Sequence, residues 1–106
     1  MAKYLIEASY TSEGAKGLLK DGGSKRRAAA EQAIKTAGGK LEAFYFAFGN
    51  RDAFVIVDAP DHATIVATSL AINASGAVRT RTTVLLTPEE IDQATKKSVK
   101  YTAPGQ

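Results

Sequence analysis

Leu41–Pro60, LEAFYFAFGNRDAFVIVDAP, is the stretch on which the fold turns. It reads as two strands joined across Phe48–Asp52, a β-hairpin. With a period of two, Leu41, Ala43, Tyr45 and Ala47 share one face of the first strand, and Glu42, Phe44, Phe46 and Phe48 share the other. In the second strand Ala53, Val55, Val57 and Ala59 form one face; Phe54 and Ile56 form the other, bracketed by Asp52 and Asp58. An antiparallel pair with one wet face alternates apolar and polar residues. This pair is apolar on both sides, so both sides are predicted to need cover.

Working outward, Lys3–Tyr10 is a strand with Tyr4, Ile6, Ala8 and Tyr10 on one face. Ser12–Lys20 reads as a short helix with Ser12 as N-cap and Ala15, Leu18 and Leu19 facing inward, stopped by Asp21-Gly22-Gly23. Ser24 is placed as the cap of a longer helix, Lys25–Ala37, whose small apolar stripe (Ala29, Ala30, Ala33, Ile34, Ala37) would let it lie close on a sheet. Beyond the hairpin, Pro60 and Asp61 open a helix over Asp61–Ala74 with apolar residues at helical spacing. Ala77–Leu86 is a β-branched strand. Thr87, Pro88 and Glu90 stand at N-cap, N1 and N3 of a C-terminal helix reaching about Val99. The tail Tyr101–Gln106 is expected to be loose or to cross to a neighbour.

The order β-α-β-β-α-β plus a helix is the α+β, ferredoxin-like split βαβ arrangement, in one domain spanning residues 1–106. Right-handed crossovers put both main helices on one face of a four-stranded sheet. The other face stays open. In a small chain, a bare face with several large apolar residues marks an interface, here expected to be a second copy's sheet.

The totals narrow the function. The 106 residues carry no cysteine and one histidine, which leaves no thiolate metal site, and neither a metal centre nor a cofactor is read from the chain. The net charge of +3 is spread out, and the aromatics sit in strands, so nucleic acid is not an expected partner. No stretch is long and apolar enough to span a bilayer and no leader pattern is seen, so no membrane association is expected and the cytoplasm is the expected compartment.

Three ordered stretches, DGGSKRRAAAEQAI (21–34), GGKLEAFYFAFGNRDAFVIVD (38–58) and SGAVRTRTTVLLTPEE (75–90), resemble the signature regions of the GYD domain family. The resemblance covers nearly the whole chain. It implies a mostly bacterial family without an assigned biochemical role. It also implies kinship with the dimeric α+β barrel superfamily, in which two ferredoxin-like subunits pack sheet to sheet. That group includes cofactor-free oxygenases, isomerases, haem enzymes and stress-induced proteins; kinship of fold does not transfer any of these activities. The family's name comes from a Gly-Tyr-Asp type motif at the hairpin turn. Here the turn is Gly49-Asn50-Arg51-Asp52, with Arg51 where the tyrosine is expected.

The candidate sites follow from residue chemistry. His62 is a possible general base or haem ligand, or simply a solvated first-turn residue. Arg79 and Arg81 share the open face of the last strand. They could hold an anion bidentately, or pair with Glu7 or Glu42. Gly22, Gly23, Ser24 and Lys25 precede a helix and could cradle a phosphate or merely form a turn and cap; they lack P-loop spacing. Lys25-Arg26-Arg27 reads as a solvated helix face. Tyr4, Tyr10, Tyr45 and the phenylalanines could line a pocket for a flat apolar ligand or pack as core and interface. Asp52 and Asp58, about 20 Å apart along a strand, are too distant for shared acid–base chemistry.

These readings support three functions. The first is an oligomeric small-ligand-binding or stress-linked protein without a catalytic set. The second is a cofactor-free oxygenase or isomerase acting on an aromatic or anionic small molecule, with Tyr45, Arg79 and His62 as first candidates. The third is an anion or nucleotide sensor using Gly22–Lys25 and the arginines.

Overall fold

The computed structural model describes residues 1–106. The elements run β1 (Ala2–Tyr10), α1 (Ser12–Asp21), α2 (Gly23–Thr36), β2 (Lys40–Phe46), β3 (Ala53–Ala59), α3 (His62–Ala74), β4 (Val78–Leu85) and α4 (Pro88–Thr95). The four strands form one antiparallel sheet in the order β2-β3-β1-β4, the ferredoxin-like topology expected from the sequence. No helix is long and apolar enough to cross a membrane.

The face under α2 and α3 holds the core. Tyr4 and Ile6 of β1, Leu41 of β2 and Val55, Val57 and Ala59 of β3 pack with Ile34 of α2 and Ile65 of α3. Tyr4 and Val57 are directly opposite in the β1–β3 ladder and are the largest side chains fully closed from water. Burying such side chains is worth about 1.5–3 kcal/mol each, which makes this cross-strand pair the anchor of the sheet.

The hairpin departs from strict alternation. A bulge between Leu41 and Ala43 leaves Glu42 without a partner, so Leu41 stands with Phe44 and Phe46 under the helices while Ala43 and Tyr45 turn to the bare face. Leu41 and Ala43 therefore do not share a face, as two-residue alternation had predicted. The bulge also brings Glu42 to Lys3, whose ammonium is 3.0 Å from Glu42 Oε2 and 2.9 Å from Asp58 Oδ1. Hydrogen bonding to Asp58, then to Glu42, raises the Lys3 pKa above the ordinary lysine value.

Two helix starts differ from the expected ones. Thr11, not Ser12, caps α1, its hydroxyl accepting from Gly14 N–H. Gly22 (φ +80°), not Ser24, stands at the head of α2; Ser24 lies within the first helical turn, and no side chain caps it. A left-handed glycine joins α1 to α2 almost without a loop. The buried residue of α1 is Gly14, whereas Ala15 and Leu19 are exposed rather than inward. A Cβ built on Gly14 would lie 2.0 Å from the Ala77 carbonyl oxygen, so only glycine lets α1 approach the start of β4.

The α4 capping box matches the sequence, while Asp61, expected as the first residue of α3, stands just before it as the N-cap. Asp61 Oδ1 accepts from Thr64 N–H at 2.8 Å, and Thr87 with Glu90 forms a reciprocal capping box behind Pro88. The last helix ends at Thr95, short of Val99. Every residue from Pro88 to Gln106 is exposed. This arm stretches the molecule to 57 × 32 × 23 Å, with a radius of gyration of 17.0 Å against the ~13 Å expected of a compact chain of this length.

The contact at Gly14 sets a test. Gly14→Ala is expected to lower stability by about 1–3 kcal/mol through overpacking. Gly17→Ala, in the same helix with nothing within 4 Å of the new Cβ, should raise it by about 0.5–1 kcal/mol. Urea midpoints of the two variants check the contrast; equal shifts would remove the steric account.

Candidate functional site

The helix-side face contains a cavity of about 250 Å³ between α2, α3 and the sheet. Its floor is Ile6, Ala8, Ala53 and Val55; its α2 wall is Ala29, Ala30 and Ala33; its α3 wall is Thr68 and Ile72. The cause is a shortage of volume. Alanines on α2 face alanines on the sheet, and neither reaches across the layer. The small stripe therefore does not bring the helix down onto the strands as expected. Only Ile34 of α2 is buried.

Few polar side chains line this space. Thr68 Oγ1 donates to the Thr64 carbonyl at 2.9 Å, and Thr80 Oγ1 accepts from Asn73 Nδ2 at 2.8 Å. Tyr10 and Arg26 are partly buried in the lining, and their polar ends carry no such commitment: Arg26 is in no ion pair, and the Tyr10 hydroxyl makes no hydrogen bond. Arg26 is thus not simply part of a solvated face. The sequence does hold a signal for it, since residues 26, 30, 33 and 37 fall on one helical stripe. Its neighbour Lys25 is 3.6 Å from Asp21 across the α1–α2 joint.

A second feature is a groove between α3 and β4, walled by Val66, Leu70 and Val84 and containing Ser69 and Thr82. At its end the Tyr4 hydroxyl lies 2.6 Å from His62 Nδ1, with the rings edge to face at 5.7 Å and 83°. Tyr4 is 1% exposed and its hydroxyl has no other partner. A buried O–H needs an acceptor, so it donates to Nδ1 and leaves the ring proton on Nε2. In the neutral ring His62 therefore offers a hydrogen-bond donor at Nε2 rather than a base. Asp61 beside it is held below the usual carboxylate range, chiefly by the Thr64 hydroxyl, then by the Thr64 N–H. Its contribution to stability is accordingly present above the ordinary aspartate value and lost as pH falls through the lowered one.

The other sequence candidates lie apart. Tyr45 is on the bare face of edge strand β2, 71% exposed; Arg79 and Arg81 are on the same face of the opposite edge strand, exposed and in no ion pair. Three strand spacings, about 14 Å, separate the two edges, and His62 is on the other side of the sheet. Tyr45, Arg79 and His62 do not converge within one copy. Glu7 and Glu42 are not the arginines' partners: Glu42 is held by Lys3, and Glu7 is nearest Arg51, whose Nε is 3.9 Å away, buried and without a hydrogen bond. Arg51, at the position of the expected motif tyrosine, thus stands over the bare face. Gly22 and Gly23 are the joint between helices, and the Gly22 N–H is already given to the Leu18 carbonyl.

The fold and the cavity define a ferredoxin-like α+β protein with an apolar chamber between its layers. A family model described as the GYD domain matches residues 4–95, and the chain belongs to that family. A comparison with curated proteins finds no match. Among solved structures, the crystal structure of MtbAldR, a Mycobacterium protein, is similar in fold, with a TM-score of 0.58 at 19% identity over 97% of this chain. This chain spans 57% of that one.

The Tyr4–His62 bond can be tested directly. Tyr4→Phe should cost about 0.5–1.5 kcal/mol and release the tautomer preference of His62. Imidazole nitrogen NMR is expected to show Nε2 protonated in the unmodified neutral ring and a mixture in the variant. An unchanged tautomer would show that Tyr4 does not set it.

Proposed function

We propose that this GYD domain is a self-associating protein that binds a small apolar molecule between its helices and its sheet. The observation that carries the reading is the cavity of about 250 Å³. A dry apolar cavity of about 150 Å³ is enough to hold benzene, so this one has room for a body of one or two rings. Its walls are mostly aliphatic, with few polar groups to fix orientation, as in other small-molecule sites.

Self-association is supported by the second face. Leu5, Ala43, Tyr45, Phe54, Ile56 and Leu85 lie together on the side without helices, with Tyr45 opposite Phe54 and Leu5 opposite Ile56. Phe54 is 37% exposed on a central strand. A second copy's sheet laid over this surface would bury it and form an α+β barrel. Arg79 and Arg81 would then border the seam.

Naphthalene and indole serve as neutral probes of the cavity. Both are expected to raise the melting temperature, and Ala30→Leu, which fills the chamber from α2, should abolish the shift. No shift with either probe would end the ligand-binding reading.

Sedimentation velocity tests the other half. The chain is expected to run as a dimer or larger at micromolar concentration, and Phe54→Asp as a monomer. A monomeric parent chain at that concentration would rule out the sheet-to-sheet assembly.

A further inference from the structure

We propose that the natural ligand of the cavity is a small monocarboxylate, with its one- or two-ring apolar body in the chamber and its carboxylate on Arg26. This rests on the reading of the cavity as a ligand site and adds the ligand's charge and class.

The argument starts from the lining. Arg26 is the one charged residue in it; no aspartate or glutamate shares the space. Arg26 is partly buried beside apolar walls, where an arginine is ordinarily paired with a carboxylate. Of the two acidic residues nearest in sequence, Asp21 is 3.6 Å from Lys25, and Glu31 is exposed and in no ion pair. The unmatched charge is therefore positive.

Position strengthens the case. Arg26 is in the first turns of α2, below the alanine wall formed by Ala29, Ala30 and Ala33. A molecule filling the chamber lies along that stripe and brings one end to Arg26. Tyr10, across the cavity on β1, has an uncommitted hydroxyl that can donate to the same carboxylate. The Thr68 hydroxyl is already donated to the Thr64 carbonyl, whereas Thr80 Oγ1 accepts from Asn73 and keeps its own proton as a further donor. An arginine fork with a tyrosine donor recognises a carboxylate bidentately, and recognises a neutral hydroxyl far less well. The chamber's volume matches a body of one or two rings.

The test compares 1-naphthoate with 1-naphthalenemethanol, its neutral counterpart of similar shape, by isothermal titration calorimetry. The unmodified chain is expected to bind the acid at least ~10-fold more tightly than the alcohol, the difference that one charge-assisted pair supplies. Arg26→Gln should bring the two affinities together while leaving the alcohol's unchanged, and Arg26→Lys should restore part of the preference. Circular dichroism confirms that the Arg26 variants are folded. If the acid and the alcohol bind the unmodified chain equally, the carboxylate assignment fails and the cavity reading stands. A preference for the acid that survives Arg26→Gln also overturns it. If neither probe binds, both readings fall.

Discussion

The structure depends on one mismatch: the β2–β3 hairpin is apolar on both sides, and the chain supplies helices for only one. On the covered side, Tyr4 against Val57 anchors the core. On the bare side, Leu5, Ile56 and Phe54 occupy the same strands with nothing above them. The helices that do cover the sheet cover it incompletely, because α2 presents alanines where larger residues would close the layer. A surplus of apolar surface on one face and a deficit of side-chain volume on the other are two results of the same composition. The first is the ground for the proposed self-association, the second for the proposed ligand.

The charged residues follow this division. On the bare face, Lys3 clasps Asp58 and Glu42 at one end of the sheet, and Arg51 leans over Glu7 at the other. The Lys3–Glu42 pair is exposed and contributes little to stability, whereas Lys3–Asp58 and Arg51–Glu7 are partly buried at the margin of the apolar patch. On the helix side the polar groups are almost all consumed locally: Asp61 and Thr64 at a cap, Asn73 with Thr80 between α3 and β4, Tyr4 with His62. Arg26 and Tyr10 stand out because their polar ends are not.

Much of this was legible in the chain. Element order, the open face, the alternation of β3 and β4 and the Thr87–Glu90 capping box follow from local rules, and local rules held there. The misses are instructive. A one-residue bulge at Glu42 reverses which face Leu41 takes, and nothing in an alternating apolar run announces it. Thr11 and Ser12 are equally good caps as residue types; the choice was made by Thr11, whose hydroxyl also donates to the Gly76 carbonyl. Nothing in the local sequence marks Gly14, because the residue it packs against, Ala77, lies far along the chain. The Tyr4–His62 contact joins residues 58 positions apart, beyond any periodicity. Arg26 was hidden by its company: between Lys25 and Arg27 it reads as one more solvated cation, although its helical phase belongs with the alanines.

The arm beyond β4 has a different kind of consequence. Its helix is held by Thr87, Pro88 and Glu90 alone, and none of its residues is buried. An eight-residue helix with only local support is near balance between coil and helix. Its winding and unwinding are thermodynamically decoupled from the sheet, so the domain can present this segment as ordered or as extended at almost no cost to its own stability.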